Sequence, residues 1–177
     1  MKKNDYKSIT LQALAELVSK ELAVDNIKAV LVGGACVSIY TYNKYQSLNL
    51  DYISPDMTKD IEQVMKRLGF ERKGKFRHYE NKSCPFYIEF PPGPVALGYE
   101  LPVTKFNKVN NITLLTATDC VKDRLVAFYH WNDEQSLQQA VWVATSQEVD
   151  LVEIEKWSIN ERAEEKFKTF QVLLQSK

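Results

Sequence analysis

Between residues 29 and 53 the chain is punctuated so closely that few arrangements satisfy it. Ala29-Val30-Leu31-Val32 is short, wholly apolar and stopped by Gly33-Gly34, the pattern of a strand buried on both faces. Residues 35–40 then read as a helix. From Ser47 to Ile53 polar and apolar residues alternate, so Leu48, Leu50 and Tyr52 share one face of a strand and Ser47, Asn49 and Asp51 share the other. A buried strand, a glycine turn and a strand with one polar face call for a sheet with helices packed against it.

The flanking sequence extends this reading. Leu11, Leu14, Ala15, Val18 and Leu22 recur at helical spacing, and Ile61, Val64, Met65 and Leu68 mark another helix, stopped by Gly69. Phe70 to Tyr79 and Pro85 to Phe90 flank the turn-like Asn81-Lys82-Ser83 and predict a hairpin. In its second strand Phe86, Ile88 and Phe90 face one way, Tyr87 and Glu89 the other. Two more β-like runs, Val95 to Val103 and Asn111 to Leu115, precede a helical C-terminal third. There Thr118 or Asp119 caps one helix, Asp133 caps a second, and Ser158-Ile159-Asn160-Glu161 has capping-box spacing before a last helix. The order predicts an α+β fold: a mixed β-sheet core over residues 1–116, flanked by helices, with a helical C-terminal subdomain over 117–177 packed on it.

Composition narrows the partners. Hydrophobic residues make up 45% of the 177, enough to bury a core, while Lys+Arg and Asp+Glu stand at 23 each. A net charge of zero provides no global field for DNA or for an anionic membrane, so any nucleic-acid contact must be local. The longest apolar runs fall far short of a membrane span, and the first residues lack the apolar segment of a secretory signal, so a cytoplasmic protein is expected. Cys36, Cys84 and Cys120 have no metal-site spacing and read as reduced thiols.

Three features carry chemistry. Gly33-Gly34 let the backbone approach a ligand, and the free amides of the helix that follows favour a phosphate; the same pair also suits an ordinary tight turn. Asn49 and Asp51 lie side by side on one strand face, where their oxygens suit a cation such as Mg²⁺. Glu89 sits on the polar face of a later strand that can aim it at the same cation. Each acid alone also suits a solvated surface; it is their combination with the glycine turn that points to a site.

In Leu31-Val32-Gly33-Gly34-Ala35, Ser47-Leu48-Asn49-Leu50-Asp51-Tyr52-Ile53 and Tyr87-Ile88-Glu89-Phe90, the chain resembles the nucleotidyltransferase superfamily of the minimal and AbiEii-like antiviral and toxin–antitoxin type. Phe90-Pro91-Pro92-Gly93-Pro94, the stretch from Thr118 to Leu125, and His130-Trp131-Asn132-Asp133 extend the resemblance across residues 30–157, towards a bacterial and archaeal branch of nucleotidyltransferase-like proteins. It implies a nucleotidyltransferase-like sheet on which Gly33, Gly34 and Ser47 meet a nucleoside triphosphate. Asp51 and Glu89 would be the second and third metal-binding acids, with Mg²⁺ as the cofactor. The first acid position falls on Asn49, which keeps an oxygen but has no charge and takes no proton from an acceptor hydroxyl.

Two functions therefore stay open: transfer of a nucleotidyl group to a protein, RNA or small-molecule acceptor, or a catalytically silent binding or regulatory module, toxin–antitoxin systems included. Lys122 is the first candidate to neutralise the triphosphate and Arg124 the second, although both also fit a solvated helix. His130, beside aromatic residues, reads as packed or hydrogen-bonded. His78 closes the basic and aromatic stretch Arg72-Lys73-Gly74-Lys75-Phe76-Arg77, which suits either RNA or an exposed hairpin. Trp131, Trp142 and Trp157 read as core.

Overall fold

The computed structural model describes residues 6–74, 77–99 and 102–176. Along the chain it places α1 (Leu11–Val24), β1 (Val30–Val32), α2 (Gly33–Tyr40), β2 (Asn49–Ile53), α3 (Thr58–Arg67), β3 (Glu71–Lys73), β4 (His78–Glu80), β5 (Tyr87–Glu89), β6 (Phe106–Val109) and β7 (Ile112–Leu115). Four helices follow: α4 (Ala117–Trp131), α5 (Glu134–Ser146), α6 (Leu151–Asn160) and α7 (Glu164–Gln175). The strands form one sheet in the order β3-β4-β5-β2-β1-β7-β6. The pairs β1–β7 and β2–β5 are parallel and the other neighbours antiparallel. This is the mixed α+β sheet flanked by helices that the sequence predicts.

Register divides the sheet into an apolar and a polar face. Leu31 pairs with Tyr52 and Leu114, Leu50 with Ile88, and Ile88 with Tyr79, and all six are inaccessible to solvent. Their face is covered by α1, whose stripe Leu11, Leu14, Ala15, Val18 and Leu22 is buried. The Tyr52 hydroxyl donates to the Ala15 carbonyl at 3.1 Å and ties helix to sheet. Burying each such side chain contributes about 1.5–3 kcal/mol, so Leu14→Ala, at a fully buried position, should cost about 2–5 kcal/mol. The opposite face carries Asn49, Asp51, Glu89 and His78 in register. There α2 leaves β1 and packs against α4 and α5, so the buried cluster continues from the sheet into the C-terminal helices.

Several boundaries differ from the sequence reading. The helix expected from residue 35 begins at Gly33, and the strand expected from Ser47 begins at Asn49, leaving Leu48 exposed at 69%. Phe70 to Tyr79 is not one strand but two, β3 and β4, with Gly74 at φ 66° between them; Lys75 and Phe76 lie outside the described residues. The described part of Val95 to Val103 holds no strand. β7 pairs instead with β6 through a turn in which Asn110 takes φ 52°, a conformation asparagine tolerates. Thr116 rather than Thr118 or Asp119 caps α4, accepting the Asp119 N–H at 3.0 Å. Asp133 caps α5 as expected. Ser158 lies inside α6, where its hydroxyl donates to the Ile154 carbonyl four residues back, so it caps nothing. Trp157 is buried and stacks on Tyr129, whereas Trp131 is 72% exposed and not core. Among the described residues the cysteines are free thiols, and no helix is long and apolar enough to cross a membrane.

Candidate functional site

The centre of the polar face is fixed by strand pairing. β2 and β5 run parallel with Asp51 beside Glu89, and β4 runs antiparallel to β5 with His78 beside Glu89. Directly paired residues point to the same side of a sheet, so three side chains from three strands meet. Asn49 joins them from two residues before Asp51. Its Nδ2 donates to Asp51 Oδ1 at 2.8 Å and to Glu89 Oε2 at 3.3 Å. The amide group thus lies between the two carboxylates.

A polar chain anchors that amide. The Ser47 hydroxyl donates to Asn49 Oδ1 at 3.1 Å and to the Asn49 carbonyl at 3.0 Å, while the Ser47 N–H donates to Ser38 Oγ at 2.9 Å. Ser38 Oγ in turn donates to the Gly34 carbonyl at 3.2 Å. The glycine turn and the acidic strand are therefore one hydrogen-bonded unit. Gly33 opens α2 at φ 68°, and a Cβ on it would stand 3.0 Å from Asp51 Oδ2; one on Gly34 would stand 3.1 Å from Ser47 Oγ and 3.2 Å from Tyr45. Only glycine allows this approach and this φ together. The N-cap of α2 is Val32, whose side chain accepts nothing, so the first amides of the helix have no capping side chain and keep their capacity for an acceptor.

Electrostatics follow from the crowding. Burial, and then the charge of Glu89, push Asp51 up to about 6; the Asn49 hydrogen bond and the Arg124 guanidinium pull the other way. His78 lies between Glu89 Oε1 and Glu80 Oε1, each 2.8 Å from a ring nitrogen, and its ring stacks on Tyr87 at 4.8 Å. Burial opposes its charge, but hydrogen bonds to the two carboxylates outweigh burial and raise its pKa. With an acceptor at each nitrogen, the imidazolium is the form that satisfies both.

Neither known protein families nor curated proteins match the sequence. Among solved structures, the crystal structure of an antigenic nucleotidyltransferase-like protein from Paracoccidioides brasiliensis matches with a TM-score of 0.60 at 13% identity, over 78% of this chain and 77% of that one. The chain has a nucleotidyltransferase-like fold. At that identity the likeness is one of architecture.

On this fold Gly33, Gly34, Ser47, Asn49, Asp51 and Glu89 stand together, as the sequence predicts. Lys122 stands elsewhere. It is 1% exposed, with Nζ 2.7 Å from Glu153 Oε1 on α6 and 3.4 Å from Asp119 Oδ1. Residues two apart on a helix point about 200° apart, and Arg124, ion-paired with Asp123, is the base whose charge acts on Asp51. His130 bonds Glu161 Oε2 at 3.2 Å against Tyr99 and Trp131. Sequence reasoning placed His78 only in a basic hairpin and left Tyr45 and Tyr87 unassigned. The alternation His78, Tyr79, Glu80 hinted at a shared polar face, but the pairing with Glu89 comes from strand order. Among the described residues, no group of three or more His, Cys, Asp or Glu side chains is set to hold a metal ion.

Proposed function

We propose that the protein binds a nucleoside triphosphate together with one divalent cation on the polar face of the sheet, and that Asn49 disables transfer of the nucleotidyl group. The observation that carries this reading is the Asn49 amide, which donates to both Asp51 and Glu89. It occupies with a neutral N–H group the place where a third carboxylate would stand.

The donor set fits one hard cation and not two. The two carboxylates, side by side in register, suit a single Mg²⁺ once the Asn49 amide, whose Nδ2 donates to both, gives way to it, whereas a pair of ions needs more negative charge than Asp51 and Glu89 supply. Bound there, Mg²⁺ would screen the phosphates and polarise a phosphoryl oxygen. The uncapped amides after Gly33 and Gly34 would donate to phosphate oxygens, and Arg124 rather than Lys122 would supply the nearby positive charge. Asn49 takes no proton from an acceptor hydroxyl, so the group that would activate a nucleophile is absent from its expected position. The AbiEii-like sequence motifs fit a regulatory or toxin–antitoxin setting, with a protein or RNA as the second partner.

Calorimetric titration with each nucleoside triphosphate, with and without Mg²⁺, tests the reading. Mg²⁺-dependent binding that disappears in Asp51→Ala is expected, with no labelled product on RNA or protein. Binding unchanged by Asp51→Ala would sink the site, and wild-type transfer activity would sink the assignment of Asn49 as the disabling residue.

A further inference from the structure

At the far end of β1 from the glycine turn, the molecule holds a second concavity. A groove of about 390 Å³ runs between the end of α1 and the β6–β7 edge, with Val30 at its floor, three residues and about 10 Å of strand from Gly33. Its floor is core: Leu22 and Ile27 are buried, and Ala29, Val30 and Phe106 complete an apolar surface. Lys28 and Lys108 also line it and are exposed, and neither ammonium group has a hydrogen bond or ion pair among the described residues. Thr113 lies directly across the ladder from Lys108, so a hydroxyl stands beside one of the charges.

A smaller cavity of about 210 Å³, beside Tyr99 and α6, differs in this respect. There Lys122 is paired with Glu153, and Glu161 accepts from the Tyr99 N–H at 2.6 Å and meets His130. Those three charges are matched, and of the charged residues lining this cavity Lys156 alone has no ion pair among the described residues. In the larger groove Lys28 and Lys108 line an apolar surface and neither ammonium group has an ion pair among the described residues, the Asp56 carboxylate at Lys28 being held by the backbone N–H, and its volume falls in the range that holds a small organic molecule.

We propose that this groove binds a small carboxylate with an apolar body, the carboxylate held by Lys28 and Lys108 and the aliphatic or aromatic part laid on Leu22, Ile27, Val30 and Phe106. Burial of the apolar part drives association, and the lysines select charge over a neutral molecule of the same shape. The obvious competitor is an extended peptide added to β6, the outer strand of the sheet. The edge is blunted against it: the Lys108 N–H already donates to Asn107 Oδ1 at 2.8 Å, and a lysine stands mid-strand.

The test is isothermal titration of the full chain with octanoate, octan-1-ol and acetate. Octanoate should saturate one site, and octanol and acetate should each bind at least about tenfold more weakly, because each lacks one half of the recognition. Lys28→Gln with Lys108→Gln should weaken octanoate by about tenfold and leave octanol unchanged. Ala23→Trp, at an exposed helical position on the groove wall, should abolish octanoate binding while the circular dichroism spectrum stays that of wild type. Failure of octanoate to saturate would overturn the proposal, as would octanol binding equally well or indifference to the lysine changes. Saturation by an acidic strand-forming peptide but not by octanoate would overturn it in favour of edge pairing.

Discussion

Replacing Asn49 with aspartate puts a third carboxylate where the sheet already holds two. Asn49 Nδ2 lies 2.8 Å from Asp51 Oδ1 and 3.3 Å from Glu89 Oε2, so an aspartate oxygen in its place meets both acids within about 4 Å, where each like-charge pair costs about 4 kcal/mol at an effective dielectric of 20. The cluster limits that cost by keeping protons, since Asp51 already titrates near pH 6 and each further unit of upward shift costs about 1.4 kcal/mol. Asn49→Asp should therefore lose about 2–4 kcal/mol of stability in EDTA at pH 7.5, and less at pH 5, where the cluster holds a proton more readily. Mg²⁺ should reverse the loss, because three carboxylates bind it better than two, and a free concentration 100 times the dissociation constant returns about 2.7 kcal/mol. Urea denaturation of both proteins, in EDTA and in Mg²⁺ at the two pH values, reads all of this. If Asn49→Asp unfolds at the wild-type midpoint in EDTA at both pH values and ignores Mg²⁺, Asn49 does not separate the acids and the argument for lost transfer falls with it.

The remaining predictions concern single contacts. Asp51 titrates near 6 in the fold against an ordinary 3.8, so the folded state holds the extra proton between those values. Stability should then fall by about 3 kcal/mol as pH rises from 4 to 6 and stay reduced above. Denaturation midpoints in EDTA should show Asp51→Asn gaining on wild type across that window and the two converging below pH 4. His78 acts in the same direction at higher pH: its raised pKa contributes stability that is present below its unfolded value and lost as pH rises through the folded one, and His78→Gln should remove that component. Gly33→Ala should cost at least about 1–2 kcal/mol from the positive φ alone, with the contact to Asp51 adding to it, as a thermal melt will show. Lys122→Met should lower stability by about 2–3 kcal/mol through loss of its buried contacts to Asp119 and Glu153, leaving nucleotide affinity unchanged, whereas Arg124→Met should reduce affinity by about tenfold.

Much of the site was legible because alternation is a local property. Once Ser47 to Ile53 is read as a strand, Asn49 and Asp51 must share a face, and the same rule puts Glu89 opposite Ile88. Gly33 was legible as a residue that lets backbone come close, and it does meet Asp51. Boundaries were less so. A run such as Val95 to Val103 has β-like composition whether or not a partner strand exists, whereas the short exposed stretch Phe106–Val109 becomes a strand because β7 lies beside it. Ser158-Ile159-Asn160-Glu161 has the spacing of a cap, yet Asp150 had already started a helix that carries Ser158 inward, to the Tyr129 hydroxyl.

The sequence by itself determined the strand–glycine–helix turn and the polar face of β2 that carries Asn49 and Asp51, because each depends on neighbours within a few residues. Tertiary structure decided which polar faces met. Glu89 stands beside Asp51 because β5 runs parallel beside β2, His78 enters because β4 closes on the far side of β5, and Lys122 is drawn to Glu153 because α4 packs against α6, leaving Arg124 as the base whose charge acts on Asp51. Burial and proximity, which set the charge of Asp51 and His78, exist only once elements distant in the chain are brought together, and no local pattern encodes that.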